Sequence, residues 1–143
     1  VLGWYGAALD VDDERQALAQ ARAAEAALAS QLALLETLLA STDDLVFAKD
    51  VDGRYLVAND ATARLMGRGS GAEVVGRTDA DLFPPAIAAE LRAHDLAVVA
   101  GGVAQRFEER TTLDTPAGPM PVTYLSRKAV WRDDAGRVVG IVG

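Results

Sequence analysis

The chain has 143 residues, half of them apolar, and a formal charge of −7, which is enough for one domain with a hydrophobic core plus some additional chain. The scattered basic residues argue against a nucleic-acid interface, and the absence of cysteine excludes disulfides, thiolate metal sites and flavin–cysteine adducts. Charged residues interrupt the apolar stretches before the roughly 18 residues that a membrane span needs, so we expect a cytoplasmic fragment without membrane contact.

The first segment is rich in β-forming residues and is similar to the last one. Residues 1–6 read VLGWYG, and residues 138–143 read VVGIVG. This match predicts that residues 1–11 are the terminal strand of a preceding copy of the same kind of domain.

Residues 12–41 are predicted to form one long helix, because acidic residues open the segment and Ala, Leu, Gln and Glu dominate it. Apolar residues recur at alternating spacings of three and four, with Glu25 as the polar interruption; the apolar members are Leu18, Ala21, Leu28, Leu32, Leu35 and Leu39. A helix of about 30 residues is about 45 Å long, more than the width of a small domain. We therefore expect a signalling helix that pairs with its copy in a parallel coiled coil; the alternative is a helix folded back on its own domain.

A hairpin and a short helix are predicted next. Asp52-Gly53 separates two apolar runs, residues 45–48 and 55–58, as in a tight β-turn. The pair Asn59-Asp60 then offers a side chain that can cap a helix over residues 61–66. This succession predicts a concave surface in which the two strands form the base and the helix lies along one side.

The remainder alternates short turns, one helix and three strands. The helix covers residues 86–100 and ends at Gly101-Gly102. The strands are predicted at residues 104–113, 122–131 and 137–142. Two strands, several helices and three further strands indicate an α+β domain, in which helices cover one face of a five-stranded antiparallel sheet.

These elements, in this order and spacing, resemble the PAS family of sensor domains over residues 38–143. The residues that carry the resemblance are FAKDVDGRYLVAN at 47–59, LMG at 65–67, VGRT at 75–78, DLFP at 81–84 and the closing segment 133–143. The resemblance implies a PAS domain at residues 42–143 with the sheet order 2-1-5-4-3 and a pocket between sheet and helices.

The resemblance also implies a function. Such domains are sensory and dimerisation input modules of bacterial histidine kinases, diguanylate cyclases and similar proteins, with neighbouring PAS and effector domains as partners. No kinase or cyclase motif is present in the sequence, so we do not expect this chain to be an enzyme.

The pocket of such a domain is lined by the inward faces of the sheet and the helices. Our candidates are Val46, Ala48, Val57, Leu65, Leu82, Phe83, Ile87, Leu91, Val98, Phe107, Tyr124 and Ile141. Burial of such side chains contributes about 1.5–3 kcal/mol each, so a packed core without a ligand explains them equally well. A small-molecule ligand and a ligand-free structural spacer therefore both remain hypotheses.

His94 is the candidate cofactor ligand. It shares the apolar face of the helix at residues 86–100, and Asp95 follows it, as in the haem-binding members of the family that it resembles. The expected cofactor is therefore none, or a haem held by His94. The alternative is a partly buried histidine that is hydrogen-bonded near the edge of the sheet.

The acidic residues near caps and strands are expected to be solvated, with no role in acid–base chemistry; they are Asp43, Asp44, Asp79, Asp81, Glu108 and Glu109.

Overall fold

The computed structural model describes residues 2–143, with side chains from residue 10 onward. Contacts divide the chain into two units, one ending at Ser41 and one covering Thr42–Gly143.

The first unit is the helix α1, Leu2–Ala40. The strand predicted over residues 1–11 is wrong, because the chain is already helical from Leu2 onward. A strand needs a neighbouring strand to pair its backbone N–H and C=O groups, whereas a helix satisfies them within the segment. Val1 lies outside the described residues.

The segment Asp10–Ala40 is long and apolar enough to cross a membrane, by length and composition alone, with a mean hydropathy of 1.3 over its best window. The charges that interrupt the apolar stretches therefore do not by themselves exclude a membrane span, contrary to expectation. Between Ala23 and Ala40 the only charged residues are Glu25 and Glu36. One such helix is weak support for a membrane span, since helices of soluble proteins pass the same test.

The second unit contains a five-stranded antiparallel sheet with the order β2-β1-β5-β4-β3. Its strands are β1 Phe47–Asp50, β2 Tyr55–Ala58, β3 Gln105–Thr115, β4 Gly118–Arg132 and β5 Val138–Val142. The predicted α+β class and sheet order are confirmed.

Three helices and one 3-10 turn connect the second strand to the third. They are α2 Asp60–Leu65, the 3-10 turn Gly71–Glu73, α3 Asp79–Leu82 and α4 Pro85–Gly101. Asn59 caps α2 as predicted, because its side-chain oxygen accepts hydrogen bonds from the backbone N–H groups of Thr62 (3.0 Å) and Val46 (3.1 Å). The helix α4 packs against β3, β4 and β5.

The first hairpin turns at Gly53, whose φ of +86° is left-handed and favours glycine. Within the hairpin, Phe47 pairs with Ala58, and Ala48 pairs with Val57. Phe47 and Ala58 pack against the buried core, so Ala48 and Val57, one residue out of phase, lie on the opposite face. The inward orientation expected for Ala48 and Val57 is therefore wrong.

Candidate functional site

The inward face of the sheet carries a buried network of charged side chains. The ammonium group of Lys49 on β1 lies 2.6 Å from Asp79 Oδ2 and 2.8 Å from Asp95 Oδ2. Lys49 is 1% exposed, and the two carboxylates are no more than 4% exposed. Asp79 begins α3 and Asp95 lies on α4, so Lys49 joins two helices to the sheet.

Lys128 on β4 extends the network to Glu109 on β3. Its ammonium group lies 2.9 Å from Asp95 Oδ1 and 2.7 Å from Glu109 Oε1, and Lys128 and Glu109 are 1% and 2% exposed. The same Glu109 oxygen lies 3.1 Å from His94 Nδ1 at the rim. Five buried charged residues and His94 thus form one chain of contacts across the space between sheet and helices.

Aromatic rings enclose the two ammonium groups. Lys49 Nζ lies 4.6 Å from the ring centroid of Tyr55, and Lys128 Nζ lies 5.8 Å from that of Phe47. The Tyr55 hydroxyl also donates a 2.8 Å hydrogen bond to Asp79 Oδ1. These contacts stabilise the buried cations by cation–π attraction and place an apolar wall around the network.

Burial and charge act together on the titrating groups. Burial, reinforced by the adjacent Asp79, raises the pKa of Tyr55, which therefore remains a neutral donor. Burial acts to lower the pKa of Lys128, but the carboxylates of Asp95 and Glu109 outweigh it, so that this pKa is raised and the ammonium persists.

The expectation of solvated carboxylates is wrong for Asp79 and Glu109, whereas Asp81 and Glu108 are exposed as expected, like Asp43 and Asp44. The sequence contained a signal for the buried set. Glu109 follows Phe107 by two residues, on the inward phase of β3, and Lys49 follows Phe47 in the same way on β1. Oppositely charged residues on the inward phase of separate strands indicate a buried ionic network.

An inner cavity adjoins the network, and an outer groove lies next to that cavity. The inner cavity has a volume of about 20 Å³ and is lined by Lys49, Lys128, Glu109, Tyr55, Tyr124, Thr62 and the apolar residues Leu45, Phe47, Leu65, Met66, Phe83 and Leu91. The outer groove has a volume of about 270 Å³ and lies between α2, the α3–α4 region and β3. Its lining includes Leu65, Met66 and Phe83, so these three side chains separate the two volumes.

The pocket residues proposed from the sequence fall into distinct groups. Leu91 and Tyr124 line the inner cavity, Leu82 and Ile87 line the outer groove, and Leu65 and Phe83 line both. Val98 and Ile141 are fully buried core residues that line neither volume. Val46 lines a separate cavity of about 490 Å³, while Ala48, Val57 and Phe107 line neither the inner cavity nor the outer groove.

His94 does not fit a haem. Its Nδ1 contact with Glu109 is of the kind that orients a ligating histidine, but its ring stacks on Phe107 with a centroid distance of 4.1 Å. His94 lines neither the inner cavity nor the outer groove, and the inner cavity is the size of a water molecule. The buried position on this turn of α4 belongs to Asp95, which is 1% exposed against 20% for the His94 side chain.

A sheet of this order, with helices enclosing a pocket on its inward face, matches a known family. The family described as the PAS fold matches residues 39–143. The chain belongs to the PAS family.

Curated relatives of this PAS protein are signalling proteins. It is 30% identical over 107 residues to the methanogenesis regulatory histidine kinase FilI of Methanothrix harundinacea, covering 75% of this chain and 12% of FilI. It is 32% identical over 132 residues to the virulence sensor protein BvgS of Bordetella pertussis, covering 90% of this chain and 10% of BvgS. The chain thus spans about a tenth of each relative, and the matches support a general role in signal sensing.

Solved structures agree with this assignment. The PAS domain of Bordetella pertussis BvgS has a TM-score of 0.62 and 25% identity, covering 80% of this chain and 83% of that one. VqmA of Vibrio cholerae, solved in complex with ligand and DNA, has a TM-score of 0.63 and 25% identity, covering 78% of this chain and 48% of that one.

Proposed function

We propose that this PAS protein is a sensory and dimerisation input module of a multidomain signal-transduction protein such as a histidine kinase or a diguanylate cyclase. The domain at residues 42–143 detects a change of state, and α1 passes it on within a parallel pair of helices. The relative FilI, a histidine kinase, supports the kinase class, and BvgS, a virulence sensor protein, supports the sensory role; the catalytic part lies outside these residues.

The apolar seam of α1 is the observation that carries the dimer. Leu18, Leu28, Leu32 and Leu35 occupy the seam and are 52%, 67%, 54% and 49% exposed. Burying each leucine against a second copy contributes about 1.5–3 kcal/mol. Pairing of two seams would therefore remove these four leucines from water.

The membrane is the other environment that suits apolar side chains. A charged residue at the bilayer centre costs about 2.5–3.5 kcal/mol on insertion scales, and the apolar part of α1 contains Glu25 and Glu36 as well as Gln31. In a coiled coil the same polar residues face water or specify the register. We therefore propose a cytoplasmic dimer helix.

Disulfide cross-linking tests the parallel pair, because the chain contains no cysteine that would interfere. Leu35→Cys lies on the seam and should form a covalent dimer under mild oxidation, since parallel pairing brings the two copies of residue 35 within disulfide reach. Thr37→Cys, on the opposite side of the helix, is the matched control and should cross-link much less. In an antiparallel pair centred on the seam, the two copies of residue 35 would be roughly 20 Å apart.

Light scattering after size exclusion tests the seam without cysteine. Leu32→Glu should convert the dimer into a monomer, whereas Ser30→Glu, which adds the same charge away from the seam, should not. A wild-type monomer at high concentration, or flotation of the chain with phosphatidylcholine vesicles, would refute the dimer helix.

We propose that the sensing site is the space around the inner cavity and the outer groove. This proposal is supported by the position of Leu65, Met66 and Phe83, which line both volumes. Movement of these side chains would join the inner cavity to the outer groove. A spacer without a ligand would need no such groove beside a charged interior. Mass spectrometry of small molecules released from native protein distinguishes the two, because a spacer releases none in stoichiometric amount.

A further inference from the structure

The strand β3 forms one edge of the sheet, and its outer side is unpaired. It pairs with β4 from Gln105 to Thr115 without a register shift. The opposite edge is partly closed, because both backbone groups of Tyr55 on β2 bond to the backbone of Arg77 and Gly76. No such partner covers β3 in the part of the chain that the structure describes. The strand also lacks the proline, lysine and β-bulge by which proteins commonly block a free edge.

The hydrogen bonds of the sheet show which backbone groups face this edge. In an antiparallel pair, one residue directs both its N–H and its C=O to one neighbouring strand, and the next residue directs both to the other side. The backbones of Gly143 and Phe47 exchange two hydrogen bonds, both of 2.9 Å, so Gly143 faces β1. Val142 therefore faces β4, where it lies opposite Ala129.

The same alternation extends across β4 to β3. Because the backbone groups of Ala129 face β5, those of Lys128 face β3, where Lys128 lies opposite Gln105. Gln105 and every second residue after it therefore bond to β4. The residues in between direct their N–H and C=O groups to the free edge, and their side chains are exposed; they are Arg106, Glu108, Arg110, Thr112 and Asp114.

The outer groove borders this edge. Two of the free-edge residues, Thr112 and Asp114, line the groove together with Thr111, and on the other side Arg64 is 61% exposed. The apolar lining comes from the helical side and consists of Leu65, Met66, Leu82, Phe83, Pro84 and Ile87. By itself the groove, at about 270 Å³, is smaller than the roughly 300–1,000 Å³ of small-molecule sites. Its position suits single side chains of a segment that lies along β3.

The exposed face of β3 carries charges of both signs at the free edge. Glu108, Arg110 and Asp114 lie on this face, with Thr112 between the last two. A strand added at the edge places each side chain on the same face as the residue directly opposite, and opposite charges in such pairs stabilise a sheet. The added residue should therefore be basic opposite Asp114 and Glu108 and acidic opposite Arg110. The residues between them point to the inner face, beside the outer groove.

A second copy of β3 fits this edge less well. The antiparallel self-pairing that places Glu108 opposite Arg110 also places Glu109 opposite its own copy. The two neighbouring registers bring together two copies of Arg110 or two copies of Glu108. Because like charges directly opposite each other destabilise a sheet, the edge suits a segment of different sequence.

We propose that the free edge of β3 binds an extended peptide segment of a partner protein by strand addition. The segment lies antiparallel to β3, exchanges backbone hydrogen bonds with Arg110, Thr112 and Asp114, and places an apolar side chain beside Thr111 in the outer groove. The backbone bonds supply affinity, and the groove and the charges select the sequence. This inference rests on the proposed function in treating the outer groove as a binding site, and it names the class of its occupant.

The probe is the blocked heptapeptide KVTVETK, whose residues face Asp114 to Glu108 in that order. Isothermal titration calorimetry on the full 143-residue chain should detect its binding. Methylation of the backbone nitrogen in its third residue, which faces Thr112, removes a donor to β3 and should weaken binding at least about tenfold. The same methylation in its fourth residue, whose N–H faces water, should change binding less than about twofold. Equal effects of the two methyl groups, or no binding of the parent peptide, would overturn the inference.

A charge swap locates the peptide on β3. Asp114→Lys should weaken binding of KVTVETK, because the first residue of the peptide then faces a charge of the same sign, and EVTVETK should restore it. Asp134→Lys, the same change at an exposed position in the β4–β5 turn, is the matched control and should keep the preference of the wild type for KVTVETK. An unchanged preference for KVTVETK in a folded Asp114→Lys protein would refute the assignment.

Light scattering shows whether a second copy occupies the edge instead. A Leu32→Glu chain that stays dimeric, and becomes monomeric when Arg110→Glu is added, would pair through β3 and overturn the inference.

The outcome is separable from that of the proposed function, since the dimer and any released small molecule are measured without the peptide. A dimeric chain that does not bind the peptide keeps the sensory module and loses the peptide site, whereas a monomeric chain that binds the peptide does the reverse.

Discussion

Lys49 on β1 joins two helices to the sheet, since its ammonium group contacts carboxylates from both α3 and α4. Its removal would leave Asp79 with only the Tyr55 hydroxyl and Asp95 with only Lys128. Two carboxylates would then remain buried with one ammonium group fewer. The stability of the domain should therefore depend strongly on this one residue.

We predict that Lys49→Met lowers the free energy of unfolding by about 3–5 kcal/mol, because breaking a buried ion pair leaves an uncompensated charge. Urea denaturation followed by circular dichroism measures the change. Arg64→Met is the matched control, since Arg64 pairs with Asp43 at 3.7 Å on an exposed surface. Such surface pairs contribute about 0–1 kcal/mol, so equal effects of the two substitutions would contradict the prediction.

The residue types of the site were only partly predictable from the sequence. Leu65, Phe83, Leu91 and Tyr124 were predicted as pocket residues from their apolar or aromatic character, and each lines the inner cavity. The charged members were not predicted, because a single Lys or Glu on a strand is usually solvated, and their signal is only the inward phase that they share with Phe47 and Phe107. Sequence order does not show which elements supply their partners.

At the scale of elements, β5 is the strand that joins the two halves of the sheet. It pairs with β1 on one side and with β4 on the other. Gly140 lies at the centre of this contact, where a Cβ atom would overlap the carbonyl oxygen of Lys49 and the indole ring of Trp131. The carbonyl belongs to a neighbouring strand and cannot move without disturbing the β1–β5 pairing.

Gly140→Ala should therefore destabilise the domain by about 1–3 kcal/mol, as overpacking of a close contact does. Thermal unfolding monitored by circular dichroism provides the measurement. Val142→Thr, two residues further along β5 at a position that is 42% exposed, should change stability by less than about 0.5 kcal/mol. A Gly140→Ala protein as stable as the wild type would show that the strands adjust freely at this point.

The beginning of β4 is an element boundary that could not be predicted from the sequence. The strand predicted at residues 122–131 begins at Gly118 in the structure and therefore includes Pro119 and Pro121. This part of β4 pairs only with β3, since β5 pairs with residues 129–132. A strand with one free side tolerates proline, which lacks the N–H that a second partner would need.

At the scale of the whole molecule, the chain consists of a PAS domain and a helix with an exposed apolar seam. If pairing of that seam holds two copies together, stability is linked to association by mass action. Dilution should then lower the stability of the paired helix α1 more than that of the PAS domain.

We predict that the unfolding of α1 shifts to higher temperature as the chain concentration rises, because the paired state is favoured by mass action. Circular dichroism at the helical wavelength over a hundredfold range of concentration measures the shift. The Leu32→Glu chain is the control and should show no shift in this transition. A concentration-independent transition in the wild type would indicate that α1 is stable without a partner copy.

The position of Trp131 gives the domain an optical property of its own. Its indole Nε1 donates a 3.5 Å hydrogen bond to the carbonyl oxygen of Lys49, the residue whose side chain enters the buried network from the other side of β1. The sequence contains only one other tryptophan, Trp4, so a Trp4→Phe chain emits from this single indole. Emission from Trp131 then reports displacement of β1 directly, and the protein can be followed in real time without an attached dye.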